Sequence, residues 1–145
     1  THTAFNDFEI MKNQLFGNKT KTLDDRVLNY ALYIDPPLGR VGMTKKQAKE
    51  SGKKILYASM EMSQISRAKE KGETLGKMEV LVDADFEKIL GAAVFGTGGD
   101  EIIGTFITAI YGGMSYKLLM NSVQTHPTVT ELIPTLLQNL KPLAD

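Results

Sequence analysis

Leu75-Gly76-Lys77-Met78-Glu79-Val80-Leu81-Val82, then Asp83-Ala84-Asp85, then Lys88-Ile89-Leu90-Gly91-Ala92-Ala93-Val94-Phe95 are two apolar runs of strand length joined by a short acidic turn. The second run is nearly continuous in its apolar residues, as a strand buried on both faces is. Directly after it, Gly98-Gly99-Asp100 opens a segment in which Ile102, Ile103, Phe106, Ile107 and Ile110 recur at helical spacing until Gly112-Gly113. That spacing makes one apolar stripe, closed by glycine. Strands in succession followed by helices define an α+β fold, an antiparallel sheet with helices packed on one face.

Upstream, Lys53 to Met62 reads as a third strand and Leu28 to Ile34 as a fourth, stopped by Asp35-Pro36-Pro37 because proline cannot donate to a ladder. Gly39 to Met43 resumes the extended pattern. Thr44 then caps a helix through Lys45 to Ser51, with Gln47 in capping-box position and Gly52 as its stop. Residues 5 to 16 place Phe5, Phe8, Met11, Leu15 and Phe16 on an amphipathic helix ended by Gly17. The polar run 17–26 separates this helix from the main fold, so the domain proper starts near Val27. Downstream, Ser115 caps a helix through Met120, and Val129, Leu132, Ile133, Leu136, Leu137 and Leu140 form a last helical pattern that Pro134 kinks or splits.

The 145 residues suit one compact domain, and the balance of 17 basic against 17 acidic residues leaves no electrostatic basis for non-specific nucleic-acid binding. Apolar stretches such as Ile89 to Phe95 fall far short of the roughly 20 residues that cross a bilayer. The sequence contains no cysteine and only His2 and His126 as histidines. Thiol chemistry is therefore excluded within the chain, and no metal site is expected. With no secretory signal at its start, a cytoplasmic location is expected.

Most of the remaining motifs have plain structural readings. Gly96-Thr97-Gly98-Gly99 sits between strand and helix as a phosphate loop does, but Glu101 stands where a third glycine would be, and Asp100 and Glu101 already occupy the helix N-terminus. A structural turn is expected. Lys45, Lys46, Lys49, Lys53 and Lys54 are interleaved with Glu50 rather than with aromatics and read as a solvated face. Asp83, Asp85 and Glu87 lack the glycine and distal glutamate of a calcium loop, so they are expected to make the turn. The seven methionines read as adaptable packing.

His126-Pro127-Thr128-Val129-Thr130-Glu131 differs from these. Thr125-His126-Pro127 forces extended geometry on His126 and leaves it just outside the following helix. From there its ring can fold back onto the Glu131 carboxylate, which would fix the ring tautomer as an acid-base histidine requires. Thr128-x-x-Glu131 is equally a capping box, worth roughly 1 kcal/mol and no chemistry. Spacing leaves these two readings balanced. Either way, the chain holds no nucleophile or metal for the histidine to serve, so a small hydrolase using His126 and Glu131 is disfavoured.

His126 to Leu132 resembles the C-terminal signature of the flavin-dependent pyridine nucleotide-disulfide oxidoreductases, the family of glutathione reductase, dihydrolipoamide dehydrogenase and mercuric reductase. Tyr33-Ile34-Asp35-Pro36-Pro37-Leu38-Gly39-Arg40-Val41-Gly42-Met43-Thr44 resembles the opening of the family's interface domain. Lys88-Ile89-Leu90-Gly91-Ala92-Ala93 with Glu101-Ile102-Ile103 resembles its central strand-helix unit. The similarity runs in order from about Asn29 to Leu140. Gly72-Glu73-Thr74-Leu75-Gly76 and Met60-Glu61-Met62 look closest to the mercuric-reductase-like branch, although Lys141-Pro142-Leu143-Ala144-Asp145 lacks the vicinal cysteine pair in which mercuric reductases usually end.

The resemblance implies that residues 27–145 are a dimerisation domain and residues 1–26 the tail of a preceding FAD-binding domain with its linker. It implies a homodimer in which His126, oriented by Glu131, enters the partner subunit's active site as acid-base for a thiol beside the flavin. His126 and Pro127 would also approach the partner's flavin ring, through an X-Pro bond for which the cis state is accessible. FAD and NAD(P)H belong to the full-length protein, none being bound by this fragment alone. The family's glycine-rich nucleotide loops and C-x-x-x-x-C pair do not occur in this sequence, as expected of one part of a longer chain. The competing reading is a stand-alone, non-catalytic α+β interaction or ligand-binding domain. An interface module is set apart from it by a broad exposed apolar patch, expected to include the helix of Ile102 to Ile110.

Overall fold

A computed structural model of the chain describes residues 1–144. Its centre is a six-stranded sheet built from β1 (Asn29–Leu32), β2 (Leu38–Gly42), β3 (Ile55–Glu61), β4 (Lys77–Asp83), β5 (Lys88–Phe95) and β6 (Lys141–Pro142), in the order β1-β2-β5-β4-β3-β6. Every pairing is antiparallel. The hairpin of β4 and β5 occupies the middle, which is why these two are the most buried strands of the sheet. Its register shifts between Leu81 and Val82, with Leu90 as the extra residue on β5. Leu81 and Val82 face opposite sides by the ordinary pleat, while the bulge on β5 brings Ile89 to the same face as Ala92 and Val94 and turns Leu90 to the other.

Helices cover one face. α4 (Gly99–Tyr111) and α6 (Ile133–Gln138) lay Ile102, Ile103, Phe106, Ile133, Leu136 and Leu137 onto Val41, Met78, Val80, Val82 and Val94. Phe106, with no exposed surface, is the largest fully buried side chain. α4 comes unusually close to the sheet: a Cβ on Gly39 would meet the Gly99 carbonyl, and one on Gly99 would meet the Val94 carbonyl. The apolar stripe of α4 is thus consumed inside the domain. It does not form the exposed patch expected from Ile102 to Ile110, because an amphipathic stripe on a sheet protein is satisfied first by the sheet beneath it.

α2 (Lys45–Glu50) lies at one end of the opposite face, where Ala48 packs with Ile55 and Leu81. Its capping box is formed, Thr44 Oγ1 accepting the Gln47 N–H at 3.1 Å and Gln47 Oε1 accepting the Thr44 N–H at 2.8 Å. α3 (Ser66–Lys71), absent from the sequence reading, connects β3 to β4 and ends at Gly72 in the left-handed conformation. α5 (Tyr116–Met120) is capped by Ser115, as its sequence predicts. The last helical pattern is split one residue ahead of Pro134, with a 3-10 turn at Thr130–Leu132 followed by α6.

α1 (His2–Phe16) stands apart in character. It contains no buried residue, and Phe5, Phe8, Met11, Leu15 and Phe16 are all exposed. It is tethered by Arg26, which donates to Asn6 at 2.8 Å and pairs with Asp7, and by Lys21, whose backbone N–H donates to Asn13 at 2.9 Å and whose carbonyl accepts from Gln14 at 2.7 Å. Among the described residues, no helix is long and apolar enough to cross a membrane.

Candidate functional site

The segment between α5 and α6 is pinned at both ends by burial, through Leu119 on α5, Val129 ahead of α6 and Ile133 at its start. Between these anchors the chain turns in short steps. Ser122 Oγ donates to the Leu119 carbonyl at 2.7 Å and Gln124 Nε2 donates to Ser122 Oγ at 2.6 Å. The His126-Pro127 bond is cis. Thr128 closes the turn from inside, its hydroxyl donating to the Thr125 carbonyl at 2.7 Å and accepting the Glu131 N–H at 3.2 Å.

Glu131 is thereby presented to His126, whose Nδ1 lies 2.9 Å from Glu131 Oε2. Half of a capping box is present, the Thr128 hydroxyl on the Glu131 N–H, while the Glu131 carboxylate turns to the imidazole. An ionised carboxylate only accepts, so the ring nitrogen facing it carries the proton and Nε2 is left outward. The His126 side chain is 78% exposed and that of Glu131 16%. The carboxylate is sheltered and the ring is presented. Pro127 is exposed beside it.

Among the described residues, no group of three or more histidine, cysteine or acidic side chains is placed to hold a metal ion. Gly96 to Gly99 is a turn in which Gly98 takes positive φ ahead of α4, and the buried Thr97 hydroxyl accepts from Lys71 at 2.5 Å. Asp83 accepts the N–H groups of Asp85 and Phe86 at 3.1 Å each and Lys53 at 2.8 Å, so it shapes the β4-β5 turn. Lys45 is not solvated in the manner the sequence suggests. Its ammonium lies 3.0 Å from Glu79 and 4.0 Å from the centre of the Tyr57 ring. Lys77 and the Tyr57 hydroxyl reach the same carboxylate at 2.8 and 2.7 Å. Burial pushes the Glu79 carboxyl up, but the hydrogen bonds from Lys77, Tyr57 and Lys45 outweigh it and hold the group at about 2. The signal for this network was Lys77 and Glu79 alternating on one face of a strand, with Tyr57 on the neighbouring strand.

The sheet, its helical cover and the His126 loop define a dimerisation domain, and the chain belongs to the family of pyridine nucleotide-disulphide oxidoreductase dimerisation domains, whose model matches residues 28–137. It is 31% identical over 142 residues to the probable pyridine nucleotide-disulfide oxidoreductase RclA of Escherichia coli K12, covering 97% of this chain and 32% of that protein. A solved structure of that HOCl-induced flavoprotein disulfide reductase superposes with a TM-score of 0.88 at 30% identity, over 97% of this chain and 32% of the other. An uncharacterized 19.7 kDa protein in a mercuric resistance operon of Staphylococcus aureus is 30% identical over 137 residues, covering 94% of this chain and 76% of that one. The chain spans about a third of the length of RclA and a larger share of the short relative.

Proposed function

We propose that this chain is the dimer-forming part of a flavin-dependent NAD(P)H:disulfide-type oxidoreductase and supplies an acid-base pair, His126 with Glu131, to the partner subunit's active site. Residues 27–145 are the dimerisation domain. Residues 1–26 are the tail of an FAD-binding domain and its linker, which gives the exposed apolar face of α1 a surface to pack on. The location is cytoplasmic, in keeping with a neutral, cysteine-free chain.

The observation that carries this reading is an imidazole held by a sheltered carboxylate at 2.9 Å while 78% of its side chain faces outward. A ring so exposed is not part of the wall of a pocket within its own chain. It suits a site completed by another molecule. Leu118 and Val123, 60% and 99% exposed, lie in the same stretch of chain as His126 and offer apolar contact to that partner. The family relation supports FAD and NAD(P)H in the whole protein. What the residues here fit is an edge contact by His126 and Pro127 with a flavin bound elsewhere, because the described residues around them make no cradle for the group itself. Bound flavin would supply electron-pair transfer to and from a disulfide. His126 would hold a proton at Nε2 or take one there from a thiol, and Glu131 would stabilise the ring while it carries the extra charge.

In the full-length enzyme, His126→Ala should lower kcat by roughly 10² to 10⁴, the usual worth of a positioned acid-base group. Unchanged turnover with intact flavin absorbance would refute the assignment. The second reading, a stand-alone non-catalytic domain, is favoured by the short relative from the mercuric resistance operon. Immunoblotting of native extract separates the two: a band roughly threefold larger than this chain fits the enzyme, and one of its own size fits the alternative.

A further inference from the structure

The sheet face turned away from α4 and α6 carries a hollow of about 300 Å³. Side-chain size along the sheet creates it. Arg40 pairs with Ala93, and Ala93 with Glu79, across β2, β5 and β4, so the three project from one face. Gly91, two residues from Ala93 on that face, is bare because the Met43 backbone passes where a Cβ would stand. A floor of Gly91 and Ala93 is therefore walled by long side chains two strand spacings apart, roughly 10 Å. Arg40 stands on one side and Glu79 on the other, with Lys45 and Lys46 of α2 closing an end.

Charge around the hollow is not balanced. Lys77, Lys45 and the Tyr57 hydroxyl all converge on Oε1 of Glu79, and none of the described residues donates a hydrogen bond to its Oε2. Arg40 makes no ion pair among the described residues and only stands 6.0 Å from the centre of the Tyr30 ring. Lys46 reaches Glu50 of its own helix at 4.0 Å, with both side chains largely exposed, a contact of the weakest kind. The site thus joins an unpaired guanidinium on one side and a weakly paired ammonium at an end to a carboxylate oxygen with free lone pairs on the other side.

We propose that this hollow binds a small hydroxylated phosphate monoester, with its phosphate on Arg40 and Lys46 and a hydroxyl donated to Oε2 of Glu79. An unpaired guanidinium and a weakly paired ammonium complement a dianion, and the planar guanidinium of Arg40 matches its oxygens in pairs. Glu79 adds selectivity for the ester over the bare ion because only the ester carries a hydroxyl at the necessary reach.

The test is an NMR titration of the isotopically labelled chain with glycerol 3-phosphate, inorganic phosphate and glycerol at fixed ionic strength. Saturable shifts of the Arg40, Lys46, Gly91 and Ala93 amides are expected with glycerol 3-phosphate, weaker ones with phosphate and none with glycerol. Arg40→Gln should weaken both anions roughly tenfold or more. Glu79→Gln should narrow the preference for the ester over phosphate. Lys46→Gln, at an exposed position, serves as the second variant should Arg40→Gln lose its dispersed spectrum. Unsaturated shifts spread over exposed lysines such as Lys12, Lys69 and Lys117 would overturn the proposal. Binding unchanged in the Arg40 and Lys46 variants, or equal affinity for ester and phosphate, would overturn it as well.

Discussion

His126 Nδ1 lies 2.9 Å from Glu131 Oε2 although the two residues are five apart in sequence, a separation that would place them on different faces of a continuous helix. They meet because His126 precedes the 3-10 turn at Thr130–Leu132 and the chain folds back over it. Thr128 fixes that path with one bond to each side of the turn. The pair is organised before any partner arrives.

Thr128 should therefore behave as a positioning residue. Thr128→Val keeps the shape and removes both hydrogen bonds, so urea denaturation of the chain should show a loss of about 1 to 2 kcal/mol. Turnover of the full-length enzyme should fall, though less than in His126→Ala. Thr128→Ser should restore most of both. A valine variant with wild-type stability and turnover would show that the turn holds itself without the hydroxyl.

The Glu79 network predicts an acid-dependent stability. Its carboxyl titrates at about 2 when folded against an ordinary value of 4.5, so the unfolded chain takes up the proton first as pH falls. The contribution is complete above about pH 4.5 and disappears on going down towards about pH 2. The difference in melting temperature between wild type and Glu79→Gln should be largest at neutral pH and shrink below about pH 4.5. A difference independent of pH would mean that shape, not charge, is what Glu79 contributes.

Surface apolar residues next to the histidine loop should carry self-association. Leu118 and Val123 are 60% and 99% exposed, and a lysine at either would have to be desolvated in a two-fold contact. Sedimentation equilibrium of the Leu118→Lys/Val123→Lys chain should show dimer dissociation shifted by about tenfold or more in concentration. A double variant as dimeric as wild type would place the contact elsewhere, for instance around Phe86.

Much of this architecture is legible in the sequence wherever local chemistry and burial agree. The hairpin of β4 and β5 was readable because β5 is nearly continuous in apolar residues and an acidic turn marks its start, and α2 and α5 because their caps are written in single residues, Thr44 and Ser115. α3 escaped because Ser66 to Lys71 is mostly charged and buries only Ala68 within the helix, too little for a periodic stripe. β6 is two residues long and exists only by pairing with β3. β3 begins at Ile55 rather than Lys53 because Ile55 pairs with Asp83, the last residue of β4, and the chain turns there, leaving no strand opposite Lys53 and Lys54. At the site, Thr128 and Glu131 satisfy a capping box and a His-Glu pair with the same letters. Only the path of the loop distinguishes them. That path depends on the burial of Leu119, Val129 and Ile133 against distant strands and helices, which no local pattern encodes.

The central claim, that His126 works in the partner's active site, is tested most directly by subunit complementation. Full-length His126→Ala subunits are mixed, after dissociation, with subunits whose redox cysteines are replaced, each variant alone being inactive. If the site is shared between subunits, statistical reassociation makes half the dimers hybrids with one intact composite site each, and about a quarter of wild-type activity should return. If His126 serves its own subunit, no hybrid contains an intact site, and activity no higher than that of the separate variants would contradict the account.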